Sequence, residues 1–305
     1  MRRPKPLLAL KVDVDTLRGT REGVPALTQL LSRHGAGATF LFSVGPDHTG
    51  RALRRVFRRG FLSKVSRTSV LEHYGLRTLL YGTLLPGPHI GRACAGEMRR
   101  VRSDGFEVGL HTYDHVKWQD FVAARGAEWT QCEMQRGVEA FCEVFGEAPV
   151  VHGAAGWQMN DAAFEAEPEM GLIYCSDTRG THPFRPVVRE RALACPQLPT
   201  TLPTLDELIG VGGSTAGDAA AHLLELTREA PAHGHVYTLH AELEGLRLKP
   251  VLETLLEGWT AQGYELVAMR RILEGVNAAT LPRHRVQPAA VPGRSGLVMT
   301  QGAAL

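Results

Sequence analysis

The stretch Leu7-Leu8-Ala9-Leu10-Lys11-Val12-Asp13-Val14-Asp15 decides the fold. It is a short apolar run that ends on two acids, and their spacing of two puts both carboxylates on one side of a strand. Outward from it, similar runs rich in Leu, Val, Phe and Tyr alternate with amphipathic stretches. That alternation is the sequence form of repeated β-α units around a parallel sheet. Strands are expected near Leu7–Asp15, Ala38–Val44, Phe106–His111, Val150–Gly153, Leu172–Asp177, Val236–His240 and Glu265–Ala268. Helices fall between them, such as Val24–His34 before Gly35, Ala127–Val144 before Gly146 and Pro250–Gln262 before Gly263. In each case glycine takes the left-handed conformation that ends a helix. This strand count predicts a barrel or a wide open α/β sheet.

With 305 residues, 44% hydrophobic and 22% charged, the chain buries a large core and needs neither disulfide nor metal to fold. A formal charge of +2 gives no global reason to expect a nucleic-acid partner. The five cysteines, Cys94, Cys132, Cys142, Cys175 and Cys195, are odd in number and lack paired close spacing, which fits a reducing compartment. Met1-Arg2-Arg3-Pro4-Lys5-Pro6 has the charge of a signal segment, but the apolar run after it is broken at Lys11, Asp13 and Asp15. No apolar stretch reaches the roughly 18 to 20 residues of a spanning helix, so any membrane contact is peripheral.

Two segments depart from the rhythm. Between Pro46 and Gly91, an insertion carries Arg54, Arg55, Arg58 and Arg59 amid Leu, Phe, Val and Tyr, a mixture typical of helices that lie on an anionic membrane surface. The stretch 277–305, rich in Ala, Pro, Gly and Arg and without periodicity, is expected to be a disordered tail behind a catalytic domain of residues 1–276.

Polar residues recur at the strand ends, where parallel α/β architectures build their sites. His111 ends the third strand, and a helical turn over Thr112–Val116 would put His115 on the same face. Asp177 ends the fifth strand and His240 the sixth. Taken singly, such residues are usually caps or structural histidines. Together with Asp13 and Asp15 they face one mouth, and an Asp with two His residues is a common open site for a hydrolytic divalent metal. His233-Gly234-His235 precedes its strand and is expected at the opposite end. Cys175 and Cys195 have no basic partner in their local sequence and read as small buried hydrophobes.

Lys11-Val-Asp13-Val-Asp15-Thr, His111-Thr-Tyr-Asp-His115, Tyr174-Cys-Ser-Asp177 and Val236-Tyr-Thr-Leu-His240 resemble motifs of the polysaccharide deacetylases, the NodB-homology or carbohydrate esterase 4 family. The resemblance implies a deformed (β/α) barrel of about seven parallel strands. It also implies that Asp15, His111 and His115 bind one divalent ion (Zn, Co or Mn) and that Asp13 is the general base. His240 is then the acid, with Asp177 holding and charging its imidazole. One motif departs: His152-Gly-Ala-Ala-Gly-Trp157 stands where the family usually has Arg-x-Pro, which leaves the base-orienting arginine lost or supplied by Arg179 or Arg185.

Longer runs, including Asp15-Thr-Leu-Arg-Gly-Thr-Arg-Glu-Gly-Val-Pro25, Arg179-Gly-Thr-His-Pro-Phe-Arg-Pro186 and Leu239-His-Ala-Glu-Leu-Glu-Gly245, resemble a branch acting on a formamido sugar linked to a polyprenyl phosphate. That branch implies deformylation at the cytoplasmic face of the inner membrane, in aminoarabinose modification of lipid A and resistance to cationic peptides. Trp157, Arg179, His182, Phe184 and Arg185 are then read as substrate contacts. The alternatives are an N-deacetylase of another amino sugar or polysaccharide, and a catalytically silent lipid- or carbohydrate-binding protein on the same fold.

Overall fold

In a computed structural model of the protein, residues 5–52 and 76–305 are described. β1 (Leu7–Val14) pairs in parallel with β2 (Thr39–Ser43) and β8 (His235–His240), and its first residues also pair with β9 (Glu265–Val267). The sheet continues through β3 (Glu107–Thr112) and β4 (Val151–His152) to β5 (Tyr174–Cys175), giving seven strands in the order β5-β4-β3-β2-β1-β8 with β9 beside β1. The gap between β5 and β8 is spanned by the extended segment 196–201. There Leu198 N–H donates to Cys175 O at 2.7 Å and Thr201 N–H to Val236 O at 3.0 Å. The result is a curled, deformed barrel.

Strand alternation sorts the side chains of β1 into two sets. Leu8, Leu10, Val12 and Val14 join the large core under the helices, whereas Ala9 packs with Leu41, Val151, Tyr174, Leu198 and Val236 from the other strands. Lys11 and Asp13 share the face of Ala9. The helix Val24–Arg33 buries Val24, Leu27, Leu30 and Leu31, and the helix Lys249–Ala261 buries Leu252, Leu255, Leu256 and Trp259, each at the spacing of one helical face. The helix Ala127–Phe145 ends at Gly146, whose φ of 76° and N–H to Cys142 O at 2.8 Å make the left-handed cap.

The expected disordered tail is not found. β10 (Arg283–Ala290) and β11 (Leu297–Ala304) form an antiparallel hairpin, and β10 lies parallel to β6 (Arg185–Val188) in a second sheet completed by β7 (Arg191–Ala192). The hairpin is held largely by backbone ladders, including Arg179 N–H to Met299 O at 2.9 Å and Gln301 N–H to Arg179 O at 2.7 Å. Few of its side chains are buried, His284 and Val298 among them, so no apolar period marked it in the sequence. The ordered fold therefore continues beyond residue 276.

Of the insertion 46–91, the described parts are its base. Pro46 bridges His89, and Gly50 N–H donates to Tyr81 O at 3.0 Å. Arg54, Arg55, Arg58 and Arg59 lie outside the described residues. Among the described residues, no helix is long and apolar enough to cross a membrane.

Candidate active site

β1, β3 and β8 bring their C-terminal ends to one mouth, with Asp13 in register with His240. His111 and His115 are not on one helical turn. His111 sits in β3, Thr112 stays in the ladder opposite Ser43, and His115 opens the helix His115–Phe121. Asp114 caps that helix, its Oδ1 accepting from Lys117 N–H at 3.0 Å while Oδ2 lies 2.6 Å from His48 Nδ1. The cap turns the chain so that the two imidazoles still stack, centroids 5.4 Å apart.

Asp15 faces both rings. Its Oδ1 lies 3.3 Å from His111 Nε2 and its Oδ2 3.3 Å from His115 Nε2. His111 Nδ1 is 2.5 Å from Gly153 O, which can only accept, so Nδ1 donates there, and loss of the other ring proton leaves the Nε2 lone pair facing Asp15. Burial opposes charge on Asp15, yet the charges of His115 and His111 hold its carboxyl well below the usual carboxylate range. Asp15 Oδ1 is buried without a hydrogen-bond donor, and donor atoms of the three residues lie within 4.8 Å of one another. An ionised oxygen so placed, between two imidazole nitrogens, suits a divalent cation.

Asp13 is almost fully buried, and its Oδ1 has no hydrogen-bond partner among the described residues. Its Oδ2 lies 3.6 Å from Lys11 Nζ, and Lys11 also donates to Ser176 O at 2.8 Å. The cation facing the expected base is thus a lysine from the same strand. Neither expected arginine fills that role: Arg179 bonds Glu207 Oε1 at 2.5 Å and Leu202 O at 3.0 Å, and Arg185 bonds Leu193 O at 3.1 Å.

Asp177 does not hold His240. It accepts from Ala154 N–H at 2.7 Å and Gln197 Nε2 at 2.9 Å, and it lies 2.8 Å from His152 Nδ1, in the departed third motif. The segment 196–201 separates β5 from β8 and so keeps the two residues apart. The carboxylate beside His240 is Asp206, with Oδ1 3.9 Å from Nδ1, while Glu244 accepts the His240 backbone N–H at 2.9 Å. Burial lowers the His240 pKa, but Asp206 first, then Asp15, Glu244 and Asp13, raise it to about 9. The one sequence signal for Asp206 was its place in the capping box of Thr204 and Glu207 that starts the helix Leu205–Leu208.

A pH dependence follows. A general acid works protonated, so the rate falls as pH rises through its pKa. Asp206→Asn removes the largest raising charge and is expected to move the alkaline limb of the kcat profile to lower pH by roughly 1 unit. A cation at Asp15 cancels part of the negative field, so the parent limb lies at or below about 9. An unchanged limb in the variant would reject Asp206 as the partner of His240.

Other residues sort by the same geometry. Glu242 Oε1 accepts from Asp15 N–H at 3.0 Å, Thr16 N–H at 2.7 Å and Thr16 Oγ1 at 2.8 Å, anchoring the turn that aims Asp15. Phe184 is fully buried against His284, and His182 bonds Gln301 at 3.0 Å, so with Arg185 they support the second sheet and are not brought to the Asp15 cluster. Trp157, at a positive φ of 54°, lies under Lys11, Arg179 and Arg294, whose charged groups are 5.2, 5.0 and 4.5 Å from its ring. Arg294 falls in the stretch 277–305, where no periodicity marks a structural role.

Two imidazoles and a carboxylate gather at the open end of a curled parallel sheet, with buried Asp13 and partly exposed His240 beside them, a donor set that suits a metal-dependent hydrolase. The chain belongs to the polysaccharide deacetylase family, whose sequence profile matches residues 2–175. It is 35% identical over 96% of its length to a protein of Shewanella sediminis (strain HAW-EB3), 94% of which is covered. That relative is named probable 4-deoxy-4-formamido-L-arabinose-phosphoundecaprenol deformylase, as is one from Wigglesworthia glossinidia brevipalpis, 29% identical over 93% of this chain and 98% of the relative. A Mycobacterium smegmatis crystal structure with a polysaccharide deacetylase description superposes with a TM-score of 0.61 at 18% identity, covering 95% of this chain and 97% of that one.

Proposed function

We propose that this protein hydrolyses the formamide of 4-deoxy-4-formamido-arabinose carried on undecaprenyl phosphate, giving the free 4-amino sugar lipid and formate. The observation that carries the reading is Asp15, with one oxygen 3.3 Å from each of His111 and His115, next to the paired Asp13 and His240. The substrate is supported by the names of two relatives that align with nearly the whole chain.

Asp15, His111 and His115 would hold the divalent ion, and Zn, Co and Mn all suit that donor set. When bound, such an ion acidifies water and polarises the formamide carbonyl. Asp13, whose Oδ1 is free, takes the proton of the attacking water. Lys11, 3.6 Å from Oδ2, keeps that carboxylate aimed. His240, charged through Asp206, donates a proton to the departing amine nitrogen, and formate is released.

Mass spectrometry of the formamido sugar lipid phosphate, incubated with the metal-loaded protein, is expected to show loss of one carbonyl from the lipid and release of formate. An unchanged lipid, with acetate released from acetylated amino sugars, would transfer the assignment to an N-deacetylase. Lys11→Met is expected to lower kcat by about 100-fold through misplacement of Asp13. Lys11→Arg should recover most of that loss, and little change in KM is expected in either. Normal kcat in Lys11→Met would remove lysine from the mechanism.

The same reading puts the enzyme on the cytoplasmic face of the inner membrane, with Arg54, Arg55, Arg58 and Arg59 as its contacts. Leu84, in the described part of the same insertion, is 80% exposed and offers an apolar side chain to a membrane surface. Each arginine near an anionic leaflet contributes about 1 kcal/mol. Replacing all four by Ser is expected to weaken salt-sensitive binding to anionic vesicles; equal binding at low salt by variant and parent would reject the contact.

A further inference from the structure

Behind the wall of the active site, where β4 and β5 end, His152, Glu167, Cys175 and Asp177 turn donor atoms toward one another, all within 4.8 Å. Glu167, Cys175 and Asp177 have 0% exposure and His152 has 3%. Two carboxylates and a thiol thus surround a single imidazole. Lys11, the neighbouring cation, is directed to Ser176 O and Asp13 instead. Burial, and then the charge of Asp177, hold the Glu167 carboxyl well above the usual range, so it keeps a proton that a cation would displace.

Three further contacts point to an ion. His152 Nδ1, though 2.8 Å from Asp177 Oδ1, is a buried nitrogen that completes no hydrogen bond. Cys195 brings a second sulfur 3.4 Å from Cys175 Sγ. The Gln197 side-chain amide donates to Glu167 Oε2 at 3.1 Å and to Asp177 Oδ2 at 2.9 Å, holding both carboxylates in orientation as outer partners of metal ligands do.

We propose that His152, Glu167, Cys175 and Asp177 form a second, structural metal site, separate from the hydrolytic one and independent of its assignment. A nitrogen, a sulfur and two carboxylates suit zinc or another ion of similar softness and disfavour magnesium and calcium, which take oxygen donors. Burial of every donor leaves no open position for substrate, the mark of a structural site. As the ion enters, Glu167 and the Cys175 thiol each release one proton, so that two carboxylates and a thiolate face the divalent charge while His152 binds through a ring-nitrogen lone pair. The site ties β4 to β5 and steadies Gly153, whose carbonyl orients His111.

Metal analysis of the purified full-length protein, with cobalt substitution, tests this. Two equivalents of metal are expected in the parent and one in His111→Ala. Cobalt-loaded parent and His111→Ala should both show sulfur-to-cobalt charge-transfer absorption, and Cys175→Ser/Cys195→Ser should lose it together with one equivalent. Should the double variant fail to fold, the parent and His111→Ala spectra decide alone. A folded parent with one equivalent, no charge-transfer band, and no metal left in His111→Ala would overturn the proposal.

Discussion

Asp13→Asn is expected to lower kcat by about 100- to 10,000-fold with metal content unchanged. The carboxylate is buried, Oδ2 is turned toward Lys11, and Oδ1 has no hydrogen-bond partner among the described residues, so Oδ1 is the atom available to accept a proton from water. Asparagine keeps the shape and loses the proton affinity. If its amide nitrogen faces Lys11, two donors confront each other. If it faces outward, a donor stands where an acceptor is required. Steady-state kinetics alongside metal analysis separate the roles within the Asp-x-Asp pair. Near-normal turnover with metal lost would exchange the assignments of Asp13 and Asp15.

His111→Ala is expected to remove the hydrolytic ion and to cost more turnover than loss of an acid or a base alone. Water acidification and carbonyl polarisation would disappear together. His111 is the more constrained of the two histidines, since Gly153 O fixes one ring nitrogen and Asp15 faces the other. His115, at a helix start and partly exposed, should lose less affinity when replaced by Ala and be partly rescued by excess metal. Chelation should abolish activity in the parent, and Zn, Co or Mn should restore it. Full turnover in metal-free protein would sink the hydrolytic assignment for Asp15, His111 and His115.

The mouth was legible in the sequence because parallel strands place their last residues together, so Asp13, Asp15, His111 and His240 had to meet once the strands were recognised. Partnerships across the barrel were not. Asp177 and His240 end strands that look adjacent in chain order, but the segment 196–201 lies between them and carries no periodic signal. Asp206 sits on a short capped helix rather than at a strand end. Lys11 was readable in principle, since alternation puts it on the face of Asp13. In the sequence it stands as a break in an apolar run and as the first residue of the motif Lys11–Thr16 that holds the Asp-x-Asp pair. The C-terminal hairpin eluded periodicity because backbone pairing, more than a buried face, holds it.

The anchoring of Asp15 by Glu242 spans 227 residues of chain. At about 5 to 20 residues per second, a ribosome takes roughly 11 to 45 s to make the intervening segment. Throughout that interval β1 has no β8 beside it, and its edge is open to wrong pairing. The nascent chain therefore emerges with Asp13 and Asp15 first and acquires their support late. It remains hydrolytically silent until the sixth strand of the barrel has left the tunnel, and during this window chaperone protection would have its greatest effect on yield.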